Sequence, residues 1–170
     1  EDERNATDPV LVTALSHPVT DIRERAVRAL GRIGDPASVP AVSRALVDRS
    51  RSVQREAVFA LGEIESPSAL PSLVQALSNE DGEQRALAAE ALSKISWTGA
   101  DRVRAGGFVV TRVLQAGAES DLSVVARALR SSWRFGAETP GLVKAIGAGF
   151  LRSEPVLSEA AVFAASRLAD

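Results

Sequence analysis

The amino-acid sequence predicts an all-α solenoid of about five antiparallel helix pairs. Three observations predict it. Segment 8–33 returns as 39–64 and again as 70–95, in two ungapped steps of 31 residues. Within each copy the apolar residues recur at helical spacing. Nowhere does the chain sustain the period-two alternation of a half-buried strand.

Each copy reads as two helices. The first opens at Pro9, Pro40 or Pro71, where a missing amide removes no helical hydrogen bond, and Asp8 is suited to cap the first of them. Leu11, Ala14 and Leu15 follow helical spacing and match Val42, Ala45 and Leu46, then Leu73, Ala76 and Leu77. Polar breaks come next: Ser16-His17-Pro18, Asp48-Arg49-Ser50 and Ser78-Asn79-Glu80. The second helix carries Ile22, Ala26, Ala29, Leu30 and Ile33, offsets 0, 4, 7, 8 and 11 from Ile22. These fall on about one third of the helical wheel, a single stripe expected to be buried. Gly34, ahead of Asp35-Pro36, is expected to end that helix.

The 31-residue step fails around Ser96-Trp97-Thr98-Gly99. Helices are expected at 101–116, 121–135, 139–152 (opened by Thr139-Pro140) and 155–168, giving a fourth and a fifth pair. Aligning EAVFALGEI at 56–64 with AAVFAASRL at 160–168 makes Ala57, Ala126 and Ala161 equivalent and puts Trp133 where Ile64 sits, in the core. The whole of 1–170 reads as one repeat domain, regular over 8–95 and degenerate over 96–170.

Composition fits a folded chain and removes several chemistries. Hydrophobic residues are 45% and charged residues 25%, enough apolar surface to offset the entropy of ordering. With no Cys and a lone His, a disulfide framework, a zinc ribbon, a cysteine nucleophile and a multi-histidine metal site are excluded. No cofactor is expected. Aromatics at 4% supply a base-stacking platform only thinly, and a net charge of −2 argues against a dedicated nucleic-acid binder. No apolar run reaches the roughly 18 residues of a membrane span, and Glu1-Asp2-Glu3-Arg4 does not resemble a signal peptide. A start at Glu with no Met anywhere leads us to expect a piece of a longer chain, monomeric as a domain, in a compartment the composition does not assign.

GRIGDPASVPAVSRAL and REAVFALGEI resemble the short bacterial HEAT-like repeats first noted in phycobilisome lyases. The shared pattern is a Val/Ile-Arg pair, a small-residue helix ending ALG-x-I-G, then Asp-Pro and a Val-Pro helix start. Residues 8–95 carry it well and 96–170 loosely. Ile22-Arg23 keeps the arginine, whereas Val53-Gln54 and Gln84-Arg85 depart from it or shift it. The opening EDERNATDPVLVTAL is also similar to HEAT-like segments that precede a cyclophilin domain in some bacterial proteins, although no cyclophilin residues lie in this chain. The resemblance implies a right-handed, armadillo/HEAT-like superhelix and an interaction scaffold. Tetratricopeptide and ankyrin repeats fit worse: there is no Tyr for the first and no Thr-Pro-Leu-His for the second.

Stacked pairs bury a continuous core and leave a long curved face lined mainly by second helices. On these helices offsets 2 and 6 point away from the stripe. Offset 2 gives Glu24, Arg55, Ala86, Val124 and Glu159; offset 6 gives Arg28, Phe59, Glu90, Ala128 and Phe163. We select Arg28, Arg55, Phe59, Glu90 and Phe163 as candidate partner-binding residues, because aromatics and arginines in a groove are the usual affinity anchors. Packing of the two phenylalanines against a neighbouring repeat, and an ion-pair ladder through Arg28, Arg55 and Glu90, are the structural alternatives. His17 reads as a polar helix-end residue and Trp97 as a gap filler at the repeat break. Arg102, Arg104, Arg127, Arg130 and Arg134 tilt residues 96–170 to a net +2, against −4 for 1–95. A solvated face is the commoner reading of such a tilt, a phosphate-binding stripe the rarer. Gly99, Gly106-Gly107 and Gly147 lack any phosphate-loop context.

The expected function is a non-catalytic scaffold for a protein or peptide partner. Two enzyme readings stand beside it, a lyase-type accessory subunit by family analogy and a HEAT-like DNA-repair enzyme. The second would need a cationic concave face, which the net charge disfavours.

Overall fold

The computed structural model describes residues 9–114 and 119–169. Asp8 and the last residues of the helix expected at 101–116 lie outside them. Ten α-helices form among the described residues, with no strand. They are α1 (Pro9–Ala14), α2 (Thr20–Ile33), α3 (Val39–Arg44), α4 (Arg51–Ile64), α5 (Leu70–Ala76), α6 (Gly82–Lys94), α7 (Gly99–Val109), α8 (Leu122–Ser132), α9 (Leu142–Phe150) and α10 (Pro155–Leu168). Odd and even helices make five pairs.

The local signals act where they were expected. Pro9 opens α1, and Pro40 and Pro71 sit in the first turns of α3 and α5, each behind a 3₁₀ turn that starts at Pro36 or Pro67. Gly34 ends α2 in the left-handed conformation (φ 71°), its amide donating to the Leu30 carbonyl. Asp81 and Asp121 cap α6 and α8 by accepting from the amides of Glu83 and Ser123. Helix α9 starts later than expected, at Leu142. Gly141 takes φ 80° ahead of it, and buried Thr139 donates its hydroxyl to the Phe135 carbonyl, closing a turn instead of opening a helix.

Packing is quasi-one-dimensional. The second helices α2, α4, α6, α8 and α10 pack consecutively on one another, and each first helix packs on its own partner more than on the next first helix. The second helices thus form one continuous row, the side that the repeat periodicity places on the concave face of such a stack. Glycine makes this approach possible at two seams. A Cβ on Gly31 would lie 2.8 Å from the Ala60 Cβ, and one on Gly62 would lie 2.9 Å from the Ala91 Cβ.

Burial supports the predicted stripe in the second and third units. Val53, Ala57, Ala60, Leu61 and Ile64 are buried, as are Gln84, Ala88, Ala91, Leu92 and Ile95. In the first unit Ile22 and Ile33 are exposed, because no helix pair covers that side of α2 among the described residues. Gln84 occupies the Val53 position, and its Oε1 is buried without a hydrogen-bond partner among the described residues.

The register of the fourth unit needs correcting. The residues preceding the second helices are Val19, Ser50, Asp81, Asp121 and Glu154. Counting from these, Val124 stands where Ile22, Val53 and Gln84 stand, and Ala128, not Ala126, is the equivalent of Ala57. The burial pattern agrees at all but one position: 124, 126, 128, 129, 131, 132 and 135 are buried in α8 and its 3₁₀ extension, as 84, 86, 88, 89, 91, 92 and 95 are in and just past α6, while Ser93 is buried where Trp133 is not. Phe135, fully buried, takes the core place of Ile64. Trp133 does not; it is half-buried, at the position of Gly31 and Gly62. The extra length of this unit lies in its first helix, where α7 runs on into a π-helical turn at Val110–Leu114.

A concave face with two charge regimes

The second helices present two outward rows on the concave side. At offset 6 the corrected register reads Arg28, Phe59, Glu90, Arg130 and Phe163; at offset 10 it reads Arg32, Glu63, Lys94, Arg134 and Arg167. All ten are exposed or half-buried. Phe59 and Phe163, 41% and 39% exposed, stay on the face as the wheel predicted. Ala86, Val124 and Ala128, also placed on it by the sequence, are buried: Ala86 faces the seam between units, and the other two belong to the core by the corrected register.

Over the first three units this face is an ion-pair ladder. Arg28 bridges Glu24 on its own helix (2.8 Å) and Glu56 on the next (3.0 Å). Arg55 is held in a two-pronged pair by Asp81 (2.6 and 2.9 Å). Lys94 reaches back to Glu63 (2.8 Å), lies 3.7 Å from Glu90, and covers the Phe59 ring at 4.7 Å. Arg28, Arg55 and Lys94 thus join neighbouring units, Glu90 stands beside Lys94 on its own helix, and Phe59 is the aromatic among them. Rungs of this kind at a surface contribute little energy each but fix how units sit.

A second ladder, which the sequence reading did not pair, runs along the starts of the second helices. The Arg23 side chain, 4% exposed, pairs with Asp48 (2.7 Å) and donates to the His17 carbonyl (2.8 Å). Arg85 repeats this with Glu119 and the Asn79 carbonyl. Arg85 therefore keeps the place of Arg23, and within the first three units Gln54 departs, donating to the Asp48 carbonyl. The hydrogen bond from Arg23 holds the Asp48 carboxyl below its ordinary range, against the opposing pull of burial. Arg55 acts likewise on Asp81, and Arg85 on Glu119. The signal in the sequence was an arginine at 23 that returns two steps on at 85, each followed by an acid in the next loop, Asp48 and Glu119. Trp97 fills the repeat break, its indole N–H donating to the Leu92 carbonyl (2.6 Å), and the His17 Nδ1 accepts from the Val19 amide.

The regime changes between α8 and α10. At the position held by Gly31 and Gly62 in the first two seams and by Ser93 in the third, this one has Trp133, whose half-buried ring forms part of the wall. A groove of about 740 Å³ opens there, lined by Arg127, Arg130, Trp133, Arg134, Phe163 and Arg167, with Ala126 and Val156 also contributing. Arg127 pairs with Glu83 (2.8 Å). Arg130, Arg134 and Arg167 have no carboxylate partner among the described residues; their guanidiniums lie over rings instead, Arg130 and Arg167 at 5.9 and 5.7 Å from Phe163 and Arg134 at 4.7 Å from Trp133. Among the lining residues Glu90 is the one carboxylate, and it stands beside Lys94.

Comparisons with known proteins agree with this architecture. A sequence model described as HEAT repeats matches residues 7–93 and 43–134. A search of curated protein sequences returned no match. Among solved structures the chain is similar to the complex of CpcE and CpcF of phycocyanin lyase from Nostoc sp. PCC7120, at 24% identity and a TM-score of 0.68, covering 99% of this chain and 67% of that one. It is also similar to a designed armadillo repeat protein in complex with the peptide (KR)4, at 19% identity and a TM-score of 0.62, covering 97% and 83%. The archaeal HEAT-like repeats protein from Thermococcus onnurineus NA1 is similar at 16% identity and a TM-score of 0.59, covering 94% and 69%. At these identities the likeness is one of fold.

Proposed function

Since the chain belongs to the HEAT-repeat family, we propose that it is a non-catalytic scaffold that takes a protein or peptide partner along the concave second-helix face. The observation that carries this reading is the pair of large aromatics, Phe59 and Phe163, left about two-fifths exposed on a face whose neighbouring rungs are otherwise charged. A ring in such a place has 150–250 Å² of surface to bury, and aromatic and arginine side chains in grooves supply most binding energy at interfaces. Arg28 and Arg55, paired with the next unit, hold the relative placement of units that a partner reads, and Glu90, beside Lys94 on its own helix, offers a polar contact at the rim. Likeness of fold to the phycocyanin-lyase subunits carries no lyase chemistry to this chain.

The test is direct. With a partner or a selected peptide in hand, Phe59→Ala weakens binding by about 2 kcal/mol or more while the melting temperature holds within about 2 °C. Equal loss of stability would assign Phe59 to packing. Undiminished binding would remove it as an anchor.

A further inference from the structure

The groove between α8 and α10 differs from the rest of the concave face in charge and in chemistry. In the first three units nearly every cation on the face meets a carboxylate from its own or the next helix. In the groove Arg127 pairs with Glu83, but the other three guanidiniums meet rings and, among the described residues, no carboxylate. A ring beneath a guanidinium holds its plane flat and leaves the N–H edges free, the geometry in which arginine takes a carboxylate by two parallel hydrogen bonds. The floor of Ala126, Val156 and Phe163 accepts an apolar side chain beside it.

We propose that this groove binds an acidic peptide segment of a protein partner, with Asp or Glu carboxylates on Arg130, Arg134 and Arg167 and an apolar residue between them on Phe163. The inference rests on the scaffold reading above and gives it a partner chemistry. The surroundings favour a short acidic segment over a nucleic acid. The cationic stretch is two helix pairs long, and toward α4 and α6 the same face carries Glu63 and Glu90. Residues 1–95 sum to −4 and the whole chain to −2. A phosphate polymer following the groove onward would meet like charge, whereas a segment with a few carboxylates ends within it.

The experiment uses the full chain and fluorescence anisotropy with three labelled probes: peptides of repeated Asp-Glu-Leu, of repeated Lys-Arg-Leu, and of repeated Ser-Gly-Leu. A single-stranded oligonucleotide is the fourth arm. We expect the acidic peptide to bind most tightly and to weaken as salt rises. Arg130→Gln and Arg167→Gln should each weaken it about tenfold, the usual loss for a charge-assisted hydrogen bond. Arg44→Gln, on the first-helix side, should leave it unchanged, with circular dichroism melts showing that every variant folds. Acidic binding that survives the double Arg130→Gln and Arg167→Gln change would overturn the site. Tighter binding of the oligonucleotide would overturn the choice of an acidic protein. Preference for the basic or the neutral peptide, lost on Phe59→Ala, would overturn the acidic assignment and keep the scaffold reading. No binding by any probe would count against both.

Discussion

Replacing Gly62 by Ala tests the close seam on which the stack depends. A Cβ at this position would lie 2.9 Å from the Ala91 Cβ and 3.0 Å from the Ala91 Cα. Carbon atoms pack comfortably at about 3.5–4.0 Å, so α4 and α6 would have to part by up to about 1 Å. The obstacle is backbone, and no rotamer change relieves it. Overpacking of this kind costs about 1–3 kcal/mol, while removing a helical glycine returns up to about 1 kcal/mol. The net expectation is a loss of about 1 kcal/mol, or roughly 2–4 °C in melting temperature at this chain length. Gly107→Ala in α7 is the matched comparison, because a Cβ there meets nothing within 4 Å; propensity alone then raises stability by up to about 1 kcal/mol. Urea midpoints followed by circular dichroism should therefore move in opposite directions for the two alanines. Adding Ala91→Gly to Gly62→Ala should give a smaller loss than the sum of the two singles. Midpoints that rise together would mean that α4 and α6 do not meet at this glycine, and the packing argument would be wrong.

Three further outcomes follow from burial and charge. Leu61, fully buried in α4, should lose about 2–5 kcal/mol on truncation to Ala, read from denaturant midpoints; a loss below 1 would misplace the stripe. Gln84→Met keeps the side-chain length and removes the unpartnered buried oxygen, so the melting temperature should rise, by about 1 kcal/mol of stability. The carboxyls of Asp48, Asp81 and Glu119 are held below their ordinary values by arginine partners. Their stabilisation is fully present above the unfolded carboxylate range, near pH 4, and is lost as pH falls through the lower folded values. Melting temperature against pH should accordingly drop steeply on the acid side, and Asp48→Asn should flatten that drop; an unchanged acid limb would show that the Arg23 pair contributes nothing.

Much of the fold was legible because its rules are short-range. The prolines that open first helices, Gly34 that closes α2, and apolar residues spaced to make one stripe all act within a few residues of themselves, and a 31-residue recurrence repeats them. The fourth unit was misread by two residues for a physical reason: Ala126 and Ala128 both suit a close seam, so alanines alone cannot set the register. The cap could have done so, since Asp81 and Asp121 both stand three residues before the first buried position of their helices. Of the candidate residues, Phe59 and Phe163 could be placed because EAVFALGEI at 56–64 aligns with AAVFAASRL at 160–168 and sets the two rings at one position. Arg130 could not, because its rank on that face depends on the corrected register.

By itself the sequence determined the helix pairs, the buried stripe of the regular units and the row of second helices on one side. All of these arise from the periodicity of one helix or one pair. Only the tertiary structure decided what each side chain meets across a seam. It put Asp48 on Arg23 and Glu119 on Arg85, left Ile22 and Ile33 exposed, and set Trp133 where the first two seams have glycine. The distance and rotation between neighbouring pairs depend on atoms contributed by both, and so does whether a guanidinium at a seam meets a carboxylate, as Arg28 meets Glu56, or a ring, as Arg130 meets Phe163.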